Sequence, residues 1–503
     1  MNKILQYSIL LMSKYNTDLC DNDMTFADCE LAILRHAVDE SDEKKSKRLA
    51  NAKEITEMIN VVEDFLRKKH LICYGGTAIN NILPKQAQFY NRDLEVPDYD
   101  FYSPNAMDDA KELADIFHAK GFSEIEAKAG VHYGTFKVFV NFIPIADITL
   151  LHPTIFKSMA REAVQIDGIL YSPPNFLRMN MYLELSRPEG DVSRWEKIFK
   201  RLTLLNEYYP FAITTRCDKI EFQRKMEHDA DKSEELYHAV RDAFVDDGAV
   251  FFGGYAARMY SRYMSKDRKE IIQKIPDFDV LSEDPDRCAN ILIERLKSKG
   301  FKNATKRHYP EIGEIVPERI ELVVGKETLA FIYKPIACHN YNILNIDGKD
   351  IKIATIDTML SFYFAFYYSD EPYYSKDRIL CMAKFLFDVE HKNRLEQKGI
   401  LKRFSINCYG NQPTLESIRA EKMDKFKELK DKRGTREYDM WFLKYSFDKK
   451  DEAKEPENTK KIKIKIAKKT KTERKTIKKR QQRGTRTKFG DFFTRAFRPL
   501  KNQ

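Results

Sequence analysis

Cys73-Tyr74-Gly75-Gly76-Thr77-Ala78, followed by Pro97-Asp98-Tyr99-Asp100-Phe101, is the stretch that decides how this 503-residue chain is read. Leu71-Ile72-Cys73 reads as a short buried strand, the glycine pair turns the chain, and Thr77 to Leu83 begins a helix with Thr77 available as its cap. Backbone N–H groups at such a helix start face outward, ready for an anion. Val96 to Tyr102 reads as a strand, on which Asp98 and Asp100 present two carboxylates to one face while Tyr99 turns away. Two like charges this close call for a cation, and oxygen donors beside phosphates favour Mg²⁺ (or Mn²⁺). A third acid, Asp147, stands in the apolar run Ile143-Pro144-Ile145-Ala146-Asp147-Ile148, where an ionised carboxylate is costly unless paired or metal-bound. Three carboxylates around two Mg²⁺ suit an in-line displacement. One ion would lower the pKa of an attacking 3′-hydroxyl, and the other would hold a triphosphate and its leaving pyrophosphate; Asp147 is the candidate nearest the hydroxyl. Alone, the glycine pair is a tight turn, the Asp-x-Asp a solvated loop or helix cap, and Asp147 a satisfied buried polar group. Their order after the right elements carries the reading.

The pattern recurs. Phe252-Gly253-Gly254-Tyr255-Ala256 and Pro276-Asp277-Phe278-Asp279-Val280 lie 178 and 179 positions downstream, and Asp167-Gly168 returns as Asp347-Gly348 at an offset of 180. Three agreements indicate an internal duplication. The second copy lacks the third acid: equal spacing from Asp279 reaches Lys326, and matching the apolar strands puts Phe331 opposite Asp147. Neither binds Mg²⁺. Glu321 on a neighbouring strand is the nearest substitute, so this copy reads as structural or RNA-binding.

Composition bounds the rest. The length suggests roughly three domains, and 43% hydrophobic with 12% aromatic residues suffices for folded domains over most of it. Eight scattered cysteines without a Cys-x-x-Cys pair read as reduced thiols in an intracellular protein. The N-terminus is too poor for a signal peptide, and no run approaches the roughly 20 apolar residues of a membrane span. From Lys454 onward 19 Lys and Arg face 4 acids, a net of +15, which leaves residues 1 to 453 at −5. Residues 450 to 488 are too poor in apolar mass to fold alone; Phe489 to Leu500 is a basic, aromatic end.

Helical spacing marks residues 26–40 and 47–69, the latter through Ile55, Met58, Ile59, Val62, Phe65 and Leu66. Helices follow at 108–120, 174–185 and 194–208, and residues 135–151 read as one long apolar strand region. The second half repeats the order, with helices near 233–246, 286–299 and 356–368 and strands near 319–333. The expected divisions are an N-terminal helical region (1–48), a catalytic domain (49–186), a helical connector (187–232), a degenerate copy with a helical end (233–450) and a basic tail (451–503).

The hydrophobic-Gly-Gly turn, Asp-x-Asp and later single Asp resemble the polymerase β-like nucleotidyltransferase superfamily. The longer match, Tyr74-Gly75-Gly76-Thr77-Ala78-Ile79-Asn80, Phe89-Tyr90 and Pro97-Asp98-Tyr99-Asp100-Phe101, is similar to the poly(A) polymerase catalytic subunits of nucleocytoplasmic large DNA viruses, giant-virus members above all. The resemblance covers roughly residues 50–450. It implies an α+β fold with two tandem nucleotidyltransferase-like domains, the second degenerate, with flanking helices and a disordered basic tail. It further implies Asp98, Asp100 and Asp147 as metal ligands, Gly75-Gly76 as the phosphate turn, ATP as substrate, an RNA 3′ end as partner, and a viral factory or virion as setting. The 21 residues between Gly76 and Asp98 exceed the superfamily's usual gap, so residues 80–95 form an inserted loop whose role stays open.

Arg194, Lys197, Lys200 and Arg201 can form one basic face toward a triphosphate or RNA backbone; equally, they can be a solvated surface with Trp195, Ile198, Phe199 and Leu202 packed inward. With Gly75, Gly76 and Thr77, Lys197 and Arg201 are the nucleotide-binding candidates; Arg178 and Lys137 rank below. The basic tail suits sequence-independent RNA contact, a localisation signal or a solubilising extension. No membrane is expected, and monomer or homodimer both fit. The leading expectation is template-independent addition of AMP from ATP to an RNA 3′-hydroxyl. Against it stand another nucleotidyltransferase, such as a second-messenger synthase or a tRNA-end enzyme, and a catalytically dead RNA-binding scaffold.

Overall fold

The computed structural model describes residues 15 and 17–447, apart from 51–52, 91–96, 221, 223–229 and 273–276. The chain divides into two compact units, 1–445 and 446–503. The basic tail lies outside the described residues, as do parts of the 80–95 loop and of the connector.

The first unit opens with α1 (Phe26–Ala50) and α2 (Lys53–Lys69). The apolar face of α2 is buried through Ile55, Met58, Ile59, Val62, Phe65 and Leu66 and packs against the sheet beside it, at roughly 1.5–3 kcal/mol for each large side chain removed from water. Then come β1 (Ile72–Cys73), α3 (Gly75–Ile82), β2 (Tyr99–Ser103), α4 (Ala106–Ala119), β3 (Glu126–Ala129), β4 (Thr135–Val140), β5 (Ile143–Leu150), α5 (Pro153–Ala160), β6 (Val164–Ile166), β7 (Ile169–Tyr171), α6 (Pro174–Leu185) and α7 (Trp195–Tyr208). Seven strands of the eight-stranded sheet run in the order β3-β4-β5-β2-β1-β7-β6. β2 pairs with β5, and β1 with β7, in parallel; the other described pairings are antiparallel.

The second half contains α8 (Ala230–Asp247), β8 (Val250–Phe251), α9 (Gly254–Tyr260), α10 (Lys266–Ile271), β9 (Phe278–Leu281), α11 (Pro285–Ser298), β10 (Ala304–Tyr309), β11 (Arg319–Val324), β12 (Glu327–Tyr333), β13 (His339–Ile346), β14 (Lys349–Ala354), α12 (Ile356–Ser369) and α13 (Lys376–Lys392). Seven of its strands, β10-β11-β12-β9-β8-β14-β13, repeat the order of those seven of the first sheet, and Cys408–Tyr409 adds an eighth beside β13. The parallel pairs recur at the same places, β9 with β12 and β8 with β14. So does the tie that closes the glycine turn onto the acid strand: the Tyr74 N–H donates to the Asp100 carbonyl, and the Phe252 N–H to the Asp279 carbonyl. Asp167-Gly168 and Asp347-Gly348 are matching two-residue hairpin turns with φ of +51° and +80°, and of +52° and +80°.

α12 is apolar all round and buried along nearly its whole length, packed between α6 and α13. A helix without a polar face belongs inside. Its one deeply buried charge, Asp357, meets Arg403, whose other arm meets Glu390 at 2.8 Å.

Three expectations are corrected. Residues 135–151 form a hairpin, β4 and β5, because Asn141 and Phe142 take left-handed φ of +50° and +63°; a Phe in that conformation concealed the turn. The acid strand starts at Tyr99, so Asp98 precedes it. Six cysteines pair as Cys20–Cys29, Cys217–Cys381 and Cys338–Cys408, leaving Cys73 and Cys288 as thiols among the described residues. Two of these pairs are 164 and 70 residues apart, separations that only the fold closes. No described helix is long and apolar enough to cross a membrane.

Candidate active site

Asp100 is brought to Asp147 by strand register: β2 and β5 run side by side with these two residues as partners. Asp98 sits just before β2 at the solvent edge. Removal of water from around it raises its carboxyl, and Asp147's charge adds to this while Lys137 opposes it. Burial, then Asp98 and then Asp147, push Asp100 up to about 7. The three acids therefore feel one another and are short of positive charge. The nearest compensation is Lys137, which faces Asp147 across the β4–β5 pairing and makes an ion pair with it. The three are not collapsed into a closed cage: among the described residues, the set of three donors mutually within 4.8 Å is Glu189, Cys338 and Cys408, the two cysteines being bonded to each other. An open, mutually repelling carboxylate set with one lysine as partner fits a divalent cation chemically.

The glycine turn lies directly above. Gly75 takes φ of +73°, and a Cβ there would stand 2.8 Å from an Asp100 carboxylate oxygen. A Cβ on Gly76 would meet the Tyr90 hydroxyl at 2.6 Å and the Arg201 guanidinium at 3.0 Å. Gly75 is favoured by its left-handed φ, and at Gly76 a side chain would displace the ends of Tyr90 and Arg201. The helix begins at Gly75, so Thr77 is inside its first turn and does not cap it; its hydroxyl donates to the Asp98 carbonyl at 2.6 Å, pinning the Asp-x-Asp to the turn.

The basic helix divides. Arg201 is buried; it donates to the Tyr90 hydroxyl at 2.5 Å and lies over the rings of Phe89 and Tyr90, beside Gly76. Arg194 pairs with Glu184 at 3.1 Å, and its charge reaches Asp100. Lys197 is exposed, and Lys200 turns outward to Glu196. The single basic face is not formed, because Arg201 points inward with Ile198, Leu202 and Leu205, while Phe199 stays exposed. Arg178 is buried away from the acids, donating to Asn175, Asn206 and the Tyr209 carbonyl as a strut between α6 and α7, and burial lowers it to about 10.

Residue-type reasoning missed the clamp over the turn. The Asn80 side-chain carbonyl accepts from the N–H groups of both Phe89 and Tyr90 at 2.8 Å, fixing the start of the inserted loop so that Tyr90 reaches Gly76. The signal was present in the Asn80 and Phe89-Tyr90 of the family match, with no role attached. Tyr74 likewise stacks on Tyr102 and shares a hydrogen bond with Thr149.

In the second sheet, Phe331 pairs with Asp279 at the register where Asp147 pairs with Asp100. Glu321 occupies the place of Lys137 and is held by Tyr309 and Thr328.

Residues 60–191 match the family model of the poly(A) polymerase catalytic subunit. The resemblance read from the motifs holds. A provisionally named poly(A) polymerase catalytic subunit of African swine fever virus (strain Badajoz 1971 Vero-adapted) is 35% identical over 173 residues, 33% of this chain and 36% of the relative. A counterpart so named from Acanthamoeba polyphaga mimivirus is 25% identical over 326 residues, 62% of this chain and 53% of the relative. The alignments thus span about a third to a half of the length of these curated relatives. The crystal structure of the Megavirus polyadenylate synthase superposes with a TM-score of 0.70 at 20% identity, covering 90% of this chain and 92% of that one, and so shares its fold.

Proposed function

We propose that the chain is a poly(A) polymerase catalytic subunit that transfers AMP from ATP to an RNA 3′-hydroxyl with release of pyrophosphate. The observation that carries this reading is the pairing of Asp100 with Asp147 beneath the Gly75-Gly76 turn, within the segment that matches the family model. In this reading Asp98, Asp100 and Asp147 hold divalent metal. The bound metal would supply Lewis-acid charge stabilisation to the transferring phosphoryl group and its nucleophile. Asp147 lies nearest the attacking hydroxyl and accepts its proton. Gly75 and Gly76 let the triphosphate approach the N-terminus of α3, and Arg201 exchanges its contact with the Tyr90 hydroxyl for a phosphate oxygen, a charge-assisted bond. The protein's contribution is chiefly position and field.

The second sheet is read as a degenerate copy of the same domain, with Phe331 and Glu321 in place of the third acid and its lysine. The basic tail is assigned to RNA backbone contact. Primer extension with each of the four ribonucleoside triphosphates, with and without an RNA primer, tests the function. ATP-selective, primer-dependent ladders are expected; primer-independent products or equal use of all four nucleotides would overturn it.

A further inference from the structure

The cleft of the second sheet remains a cavity of about 550 Å³, within the roughly 300–1,000 Å³ usual for small-molecule sites. Its lining includes Asp277, Asp279, Phe331, Tyr363, Tyr373 and Arg378. Its chemistry differs from that of the first cleft in three ways.

The phosphate turn is closed. The Asp279 carboxylate fills the space where a Gly253 Cβ would stand and accepts from the Gly254 N–H and the Tyr333 hydroxyl. The Gly254 N–H, at the helix start that would greet an anion, is consumed here. Of the two lining cations, Lys326 and Arg378, the latter is committed, donating to Asp277 at 2.9 Å. Finally, where the third acid would be, Phe331 stacks nearly parallel to Tyr373, with centroids 5.7 Å apart and planes at 23°. The Tyr373 hydroxyl is buried and has no hydrogen-bond partner among the described residues.

Excess carboxylates repel a triphosphate and accept from amino or imino N–H groups. A pair of rings already stacked leaves an outer face on which another flat ring can continue the stack, whereas an ammonium ion is held best over ring faces that converge on it. We propose that this second cleft binds an unpaired nucleobase, stacked on Phe331 and Tyr373 with its exocyclic amino edge toward Asp277 and Asp279. The base arrives either in a free nucleoside or in single-stranded RNA. The inference does not depend on the transfer reaction assigned to the first cleft.

The test is calorimetric titration of the full chain in excess EDTA, with adenosine, cytidine, ATP, a short single-stranded oligoribonucleotide and spermidine as separate probes. Saturable nucleoside binding is expected without metal, with ATP no tighter than adenosine. Phe331→Ala and Tyr373→Ala should each weaken it roughly tenfold, in line with loss of one aromatic stacking partner, and Arg201→Ala should leave it unchanged. Phe331→Trp, which enlarges the platform, should tighten it and guards against an unfolded alanine variant. An oligoribonucleotide far tighter than nucleoside marks RNA as the source; equal affinities mark the free nucleoside. Binding of spermidine alone, binding lost in Arg201→Ala but kept in Phe331→Ala, or no saturable nucleoside binding would each overturn the proposal.

Discussion

Phe331 and Asp147 occupy the same place in two sheets that share a seven-strand order, each paired in register with the second acid of an Asp-x-Asp, Asp279 and Asp100. One site therefore carries three acids with a lysine beside them, the other two acids with an aromatic ring and Glu321 beside it. The difference locates the proposed chemistry in the first sheet.

Asp147→Asn should lower the transfer rate by about 10²–10⁴-fold, the range for losing a positioned proton acceptor, with little change in melting temperature. Phe331→Asp should leave the rate within about twofold. Single-turnover kinetics on both variants checks the assignment, and a large rate loss in Phe331→Asp would place the chemistry wrongly.

Gly76→Ala introduces a methyl group against the Tyr90 hydroxyl and the Arg201 guanidinium. It should raise the KM for ATP roughly tenfold or more, since each bond to a charged group is worth about 1.5–3 kcal/mol. Because the tightest collision is with a hydroxyl, adding Tyr90→Phe should recover part of the loss. Steady-state kinetics on the single and double variants measures it; no recovery would mean that the methyl group acts on the backbone or on Arg201 instead.

Arg403 is buried between Asp357 and Glu390, at 2.7 and 2.8 Å. Arg403→Met should cost about 3–5 kcal/mol, because it leaves two carboxylates buried without their cation. Replacing both acids by Leu in that background should restore most of the stability. Chemical denaturation of the single and triple variants decides whether the cost is unpaired charge or lost packing.

His339 is fully buried, and both its ring nitrogens lack hydrogen-bond partners among the described residues. Burial, helped by the charge of Arg187, lowers its pKa from 6.5 to about 3. The unfolded chain therefore binds a proton that the fold refuses between these values. Its stability contribution is complete above pH 6.5 and is lost as pH falls toward 3, at about 1.4 kcal/mol per unit. His339→Leu should melt nearer to its pH 7 temperature at pH 5 than the wild type does; parallel acid sensitivity in both would exclude His339 as the source.

Much of this site is legible in the sequence because its determinants are short and local. The glycine turn, the Asp-x-Asp and the lone Asp147 each belong to a single element, and the apolar strand pattern alone placed Phe331 at the register the sheet displays. Lys137 was ranked low because its importance lies across a hairpin that Asn141 and Phe142 form with left-handed backbones, and Phe is a poor advertisement for such a turn. Arg201 was named, but its partner Tyr90 depends on Asn80 holding a loop ten residues on, a long-range closure without period or motif. The cysteine pairs escaped for the same reason, since nothing local relates Cys217 to Cys381.

The most direct test of the account is 3′-end extension of an RNA primer by ATP and Mg²⁺, comparing the wild type with Asp98→Ala and Asp100→Ala proteins of unchanged melting temperature. The account predicts a primer-dependent adenylate ladder from the wild type, removed by EDTA and absent from both variants. A ladder that survives either substitution would contradict it.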